Sequence, residues 1–189
     1  MPESDLRNPV PYGIVALMES PIPYGTVHST ADTRTLGFTL RFPQPVEDVW
    51  AAVASATGLS GWLAVADPFE RHQGGAITLH RQHSDGYGAA TVAPGRVTCW
   101  GPGRLAEYTV DVHGRIRFDL GRDPDRTGGT LLRFSNELVC PDSAVLTHLA
   151  DWHQHFEFLA EALAGRPADW PSWSLDRWRA LYGAYEHTR

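Results

Sequence analysis

The amino-acid sequence predicts an α+β fold: a curved antiparallel sheet wrapped around a long C-terminal helix, with two short helices after the first strand. Two observations predict it. Strand-period runs separated by Gly, Pro and Asp punctuation recur through the middle of the chain, and a single 3.6-period apolar stripe follows them.

The first 23 residues contain five prolines (Pro2, Pro9, Pro11, Pro21 and Pro23) and read as an irregular arm. Next, Leu36, Phe38, Leu40 and Phe42 alternate with Thr35, Gly37, Thr39 and Arg41, the period of a half-buried strand. Residues 31–34 supply the turn of a hairpin with 24–29. Pro45 suits the first position of a helix, with Glu47 and Asp48 in its first turn and Val46, Val49, Trp50 and Val53 on one face. Gly58 is expected to break that helix, leaving a second short one over Leu59–Leu63 that carries Trp62. Strands are expected at Ala76–Arg81, Tyr87–Trp100 (interrupted at Pro94-Gly95), Leu105–Val112, Arg115–Leu120 and Thr130–Cys140. A long helix then runs from Asp142, as N-cap, to a stop at Gly165. The organisation is an arm (1–23), a domain (24–165) and an aromatic-rich extension (166–189) that packs on the domain and starts a helix near Ser174. The tail tryptophans Trp170, Trp173 and Trp178 admit a second use, as a homodimer or partner interface.

Composition narrows the function classes. At 189 residues the chain is one domain with a small appendage, and 42% hydrophobic residues with 7 Trp, 6 Tyr and 7 Phe exclude disorder as its main state. Asp and Glu outnumber Arg by 22 to 16, with no lysine, which argues against a nucleic-acid surface. No run approaches the roughly 18 apolar residues of a membrane span, and Val10–Met18 is broken by Pro11 and Gly13, so the chain reads as cytoplasmic. Cys99 and Cys140 read as buried free thiols.

Strand alternation also assigns an inward face. Tyr108 and Val110 oppose Glu107 and Asp111; Ile116, Phe118 and Leu120 oppose Arg115, Arg117 and Asp119; Leu132, Phe134 and Leu138 oppose Arg133, Ser135 and Glu137, with Asn136 inward. Val145, Leu149, Trp152, Phe156, Leu159 and Leu163 form the stripe of the long helix, with His153 on its margin. Tyr108, Asn136 and His153 are thus polar groups on apolar faces. Each needs a partner, either within the protein or in a bound ligand.

The run Phe42-Pro-Gln-Pro-Val-Glu-Asp-Val-Trp-Ala-Ala, Gly58-Leu-Ser-Gly-Trp-Leu, the Gly101-Pro-Gly-Arg-Leu turn feeding Glu107-Tyr-Thr, Gly128-Gly-Thr-Leu and Asp151-Trp-His resemble, in order and spacing, the SRPBCC (START-like, helix-grip) superfamily. The branch resembled is that of bacterial proteins related to the activator of Hsp90 ATPase. The resemblance covers roughly residues 35–185. It implies a helix-grip fold with a cavity between sheet and long helix, but no single activity, since the fold hosts carriers, cyclases and co-chaperone domains. Trp62 gates the cavity by resemblance, or else fills the core. The segment 82–90 is expected to be a loop over the cavity mouth.

The leading expectation is non-catalytic binding of a hydrophobic small molecule, lipid- or polyketide-like. Tyr108, Asn136 and His153 would orient its polar end, and Phe118, Phe134, Trp152 and Phe156 would supply apolar surface. A cyclase or dehydratase would use the same cavity with His153, Tyr108 or Glu107 as acid or base. The co-chaperone alternative requires an Hsp90-type chaperone as partner, and the short arm before residue 24 counts against it. No cofactor is implied. Of the nine histidines, His148 and His155 share one flank of the long helix while His153 lies on the other, so no metal site is expected.

Overall fold

Alternating burial builds the sheet. The structure, a computed structural model, describes residues 22–82 and 92–188, so most of the arm and the segment expected over the cavity mouth lie outside the described residues. In chain order the elements are β1 (Thr26–Ser29), β2 (Arg34–Phe42), α1 (Val46–Val53), α2 (Ala56–Ser60), β3 (Val65–Phe69), β4 (Ala76–His80), β5 (Val92–Gly101), β6 (Leu105–Val110), β7 (Gly114–Arg122), β8 (Thr130–Leu138), α3 (Val145–Leu163) and α4 (Leu175–His187). The strands form one antiparallel sheet in the order β1-β2-β8-β7-β6-β5-β4-β3. Its register aligns Phe38, Phe134 and Phe118 across β2, β8 and β7, so the apolar halves of three strands meet on one face.

That face packs on α3. Val145, Leu149, Trp152, Phe156 and Leu159 are buried, as the periodicity requires, while Leu163 in the last turn is half-buried. Phe156 is the hub, with ring centroids 5.0 Å from Phe38, 4.9 Å from Phe134 and 6.1 Å from Trp62.

Several local expectations are corrected. The two short helices divide at Ala54-Ser55, because the Ser55 hydroxyl accepts the Gly58 N–H at 2.9 Å and caps α2. Gly58 therefore sits inside α2 rather than between helices. A Cβ there would lie 2.1 Å from the Ala51 carbonyl oxygen, so only glycine lets the two helices touch. Trp62 lies just beyond α2. Pro94-Gly95 does not interrupt β5 either; Gly95 admits the β6 backbone, which a Cβ would meet at 2.1 Å. The edge strand β3 was not expected; its register shifts between Ala66 and Phe69, and Pro68 is tolerated on an edge. Asp142 does not cap the long helix, because its carboxylate accepts from Arg34 at 2.8–2.9 Å. Cys99 and Cys140 are free but half-buried.

The last segment folds back on α3. Arg177 forms two bonds to the Glu157 carboxylate, Trp178 Nε1–H donates to Asp151 Oδ1 at 2.6 Å, and Trp170 Nε1–H donates to the Ser60 carbonyl at 3.0 Å. Among the described residues, no helix is long and apolar enough to cross a membrane.

Candidate functional site

The three inward polar side chains do not converge, and each is matched inside the protein. Tyr108 O–H donates to the Val53 carbonyl at 2.8 Å. Asn136 donates from Nδ2 to the carbonyls of His113 (2.6 Å) and Arg115 (3.2 Å), while its Oδ1 accepts Trp152 Nε1–H at 2.9 Å. His153 Nδ1 meets the Tyr185 hydroxyl at 3.0 Å, and that hydroxyl also accepts the Gly25 N–H at 2.9 Å. Burial pushes the His153 imidazole down to about 4, with Glu157 opposing that shift. Trp62, Phe118, Phe134 and Phe156 are core residues at 0–3% exposure, and Trp62 Nε1–H is spent on the Ala52 carbonyl. Glu107 points to the opposite face of the sheet, held by Thr98 and Arg117. Among the described residues, aromatic rings thus pack around these side chains where the interior was expected to be open.

Space remains where α3 crosses the β4 and β7 end of the sheet. A cavity of about 50 Å³ is lined by Leu63, Ala64, Leu79, Ile116 and Trp152, with Arg81, His113, His148, Asp151 and His155 around them. Of the expected contacts, Trp152 lines it. Asn136 stands behind it and ties its two sides together, because it bonds both the His113 carbonyl and Trp152.

Local geometry explains how these groups meet. His148, Asp151, Trp152 and His155 are spaced i, i+3, i+4 and i+7, which places them on one stripe of α3. The His148–His155 flank was legible in the sequence; Asp151 between them was the overlooked signal. His113 comes from the β6–β7 turn, where its N–H donates to the Asp111 carbonyl at 2.8 Å across Val112. Val112 has φ 69°, a strained conformation for a β-branched residue, and such strain clusters at functional sites. Arg81 follows β4, and nothing in its local sequence pointed to His113.

Electrostatics set this pocket apart. Burial holds His113 down at about 4, helped by the charges of Arg81 and His148, and burial also lowers His148. Burial pushes the Asp151 carboxyl up to about 6, against the Trp178 hydrogen bond and the Arg81 charge. The imidazoles of His113 and His148 and the Oδ2 of Asp151 carry no hydrogen bond among the described residues. His155 is anchored, its Nδ1 donating to the Trp62 carbonyl at 2.9 Å. Among the described residues, no group of three or more His, Cys, Asp or Glu is placed to hold a metal ion.

No family model matches the chain, and no curated protein does. Solved structures match in fold. A conserved protein of unknown function from Enterococcus faecalis superposes with a TM-score of 0.63 at 16% identity, covering 87% of this chain and 89% of that one. CalU16 from Micromonospora echinospora gives 0.61 at 15% identity over 86% and 94% of the two chains. The chain has the helix-grip fold. DynU16, a protein of the dynemicin biosynthetic locus, gives 0.57 at 19% identity over 70% of this chain, which spans 48% of DynU16. In helix-grip terms, the pocket lies between the gripping sheet and the gripped helix, at one end of their interface.

Asn136 tests this architecture. Asn136→Ala is expected to lower unfolding free energy by about 3 kcal/mol, since it strands a buried Trp N–H and weakens the tie between α3 and the His113 turn. Chemical denaturation measures the loss. A change under about 1 kcal/mol contradicts the bridging role.

Proposed function

We propose that the chain binds a small, mostly apolar molecule whose polar end enters the pocket between α3 and the sheet. Leu79, Ile116 and Trp152 contact the apolar part, and His113, His148 and Asp151 face the polar end. The observation that carries this reading is an apolar floor ringed by the imidazoles of His113 and His148 and the Oδ2 of Asp151, which carry no hydrogen bond among the described residues. At about 50 Å³ the cavity is well below the roughly 150 Å³ that holds benzene, so the ligand inserts an end and leaves its body at the mouth. The occurrence of this fold in DynU16, from a biosynthetic locus, supports a small-molecule role. Within the fold, the motifs of Pro45–Trp50 and Gly58–Trp62 support the branch related to the activator of Hsp90 ATPase.

Toluene titration followed by NMR tests the reading. The expected shifts fall on the Leu79 and Ile116 methyls and the Trp152 indole, and Ala64→Leu, which fills the floor, weakens binding about tenfold or more. Shifts confined to other surfaces, or an unchanged affinity in Ala64→Leu, overturn it.

One observation favours a second reading. A carboxyl pushed up to about 6 beside imidazoles suits proton transfer, so a cyclase- or dehydratase-type enzyme would use Asp151 in this same pocket. It predicts turnover of aromatic polyketide-like substrates that disappears in Asp151→Asn. His153→Ala does not test it, because His153 faces Tyr185 rather than the pocket.

A further inference from the structure

A second cavity lies outside the interface of sheet and long helix, where the tail folds back on α3. It measures about 240 Å³ and is bounded by Gln154 and Phe158 of α3, Trp170 and Trp173 of the segment before α4, and Ser174 and Arg177 at the start of α4. Gln154 and Phe158 are spaced i, i+4 and stand on one face of the helix, apart from the stripe of His148, Asp151 and His155. Gln154 is 5% exposed, and its amide forms no hydrogen bond among the described residues. A buried amide without partners costs free energy. Neither of its amide atoms is fully enclosed, so the side chain keeps its small accessibility where it borders the cavity. The walls beside it are aromatic and held in place. Trp170 Nε1–H donates to the Ser60 carbonyl, and the Trp170 ring meets Phe158 edge-on at 5.5 Å. Arg177 is bonded twice to Glu157.

We propose that this cavity binds a single ring bearing an amide-type edge, with a hydrogen-bond donor and an acceptor side by side. The site is separate from the pocket beside Asp151, and the proposal does not rest on that pocket's function. A primary amide carries N–H donors on one atom and lone pairs on the next, so an edge of the same kind meets both through two parallel bonds. Exchanging Oε1 and Nε2 leaves the requirement unchanged, because donor and acceptor only trade places. A ketone pairs with the N–H alone and a hydrocarbon with neither, and each leaves part of Gln154 unmatched. The volume exceeds the roughly 150 Å³ that holds benzene, so a ring and its substituent enter together and pack on the Trp and Phe walls.

Benzamide, acetophenone and ethylbenzene are uncharged, similar in shape, and differ in what the edge offers: donor and acceptor, acceptor alone, or neither. Each is titrated into the full chain and followed by NMR at the Gln154 side-chain amide and the Trp170 and Trp173 indoles. Benzamide is expected to bind about tenfold tighter than acetophenone, with ethylbenzene weakest. Gln154→Leu should erase that ranking. Because it removes an unmatched amide, it should also leave the thermal midpoint unchanged or raised. Equal binding of benzamide and acetophenone by the wild type, a ranking that survives in Gln154→Leu, or a lowered midpoint in that variant each overturns the proposal. Shifts confined to Leu79, Ile116 and Trp152 overturn it as well, while leaving the pocket beside Asp151 its binding role.

Discussion

Replacing Trp62 by alanine is expected to cost about 4 kcal/mol of unfolding free energy, a large part of the 5–15 kcal/mol of an ordinary domain. The residue is 0% exposed, its ring stacks on Phe156 and meets Phe118 edge-on, and its indole N–H satisfies the Ala52 carbonyl. Truncation removes the ring contacts, opens a cavity where α2 meets the sheet, and leaves that carbonyl without its donor. The His155 bond to the Trp62 carbonyl is a backbone contact and survives, so the pocket loses stability before it loses shape. Urea denaturation gives the value. A loss below about 2 kcal/mol would show that Trp62 is a mobile gate, as the family resemblance allowed, and not a core residue.

Acidification supplies the second large effect. His153 is 1% exposed, and burial pushes its imidazole down to about 4 in the folded chain, from 6.5 for an ordinary imidazole. The folded pKa is lowered, so His153 contributes stability in full above about 6.5, and the contribution is lost as pH falls towards 4 because the unfolded chain takes up the proton first. His113 and His148 act in the same direction. Asp151 opposes them: its folded pKa is raised to about 6, so burying it becomes less costly as pH falls through that value. Three groups outweigh one, and stability is expected to decline across this window, with His153 alone accounting for about 3 kcal/mol at its lower end. His153→Gln, which can still accept from Tyr185 but does not titrate, should flatten the profile by about that amount. Equal slopes in the two proteins would sink the assignment.

Much of the fold was legible because it is written in short-range periodicity. The alternation Leu36-Phe38-Leu40-Phe42 specifies the buried face of β2, and the stripe from Val145 to Leu159 specifies which side of α3 meets the sheet. What failed was punctuation: Gly58 and Pro94-Gly95 read as breaks, but close backbone approach accommodates each within an element. The site was less legible. His148 and His155 share a helix flank by spacing alone, whereas His113 and Arg81 reach the same pocket from separate strand ends.

The sequence by itself determined which residues turn inward, because a side chain's direction depends on its own helix or strand. Only the tertiary structure decided what those residues meet. It sealed Tyr108, Asn136 and His153 against protein partners, packed aromatic rings beside them, and left an opening beside Asp151. Burial can be inferred from a local period, but the pairing of buried polar groups and the location of unfilled space depend on contacts between residues far apart in the chain.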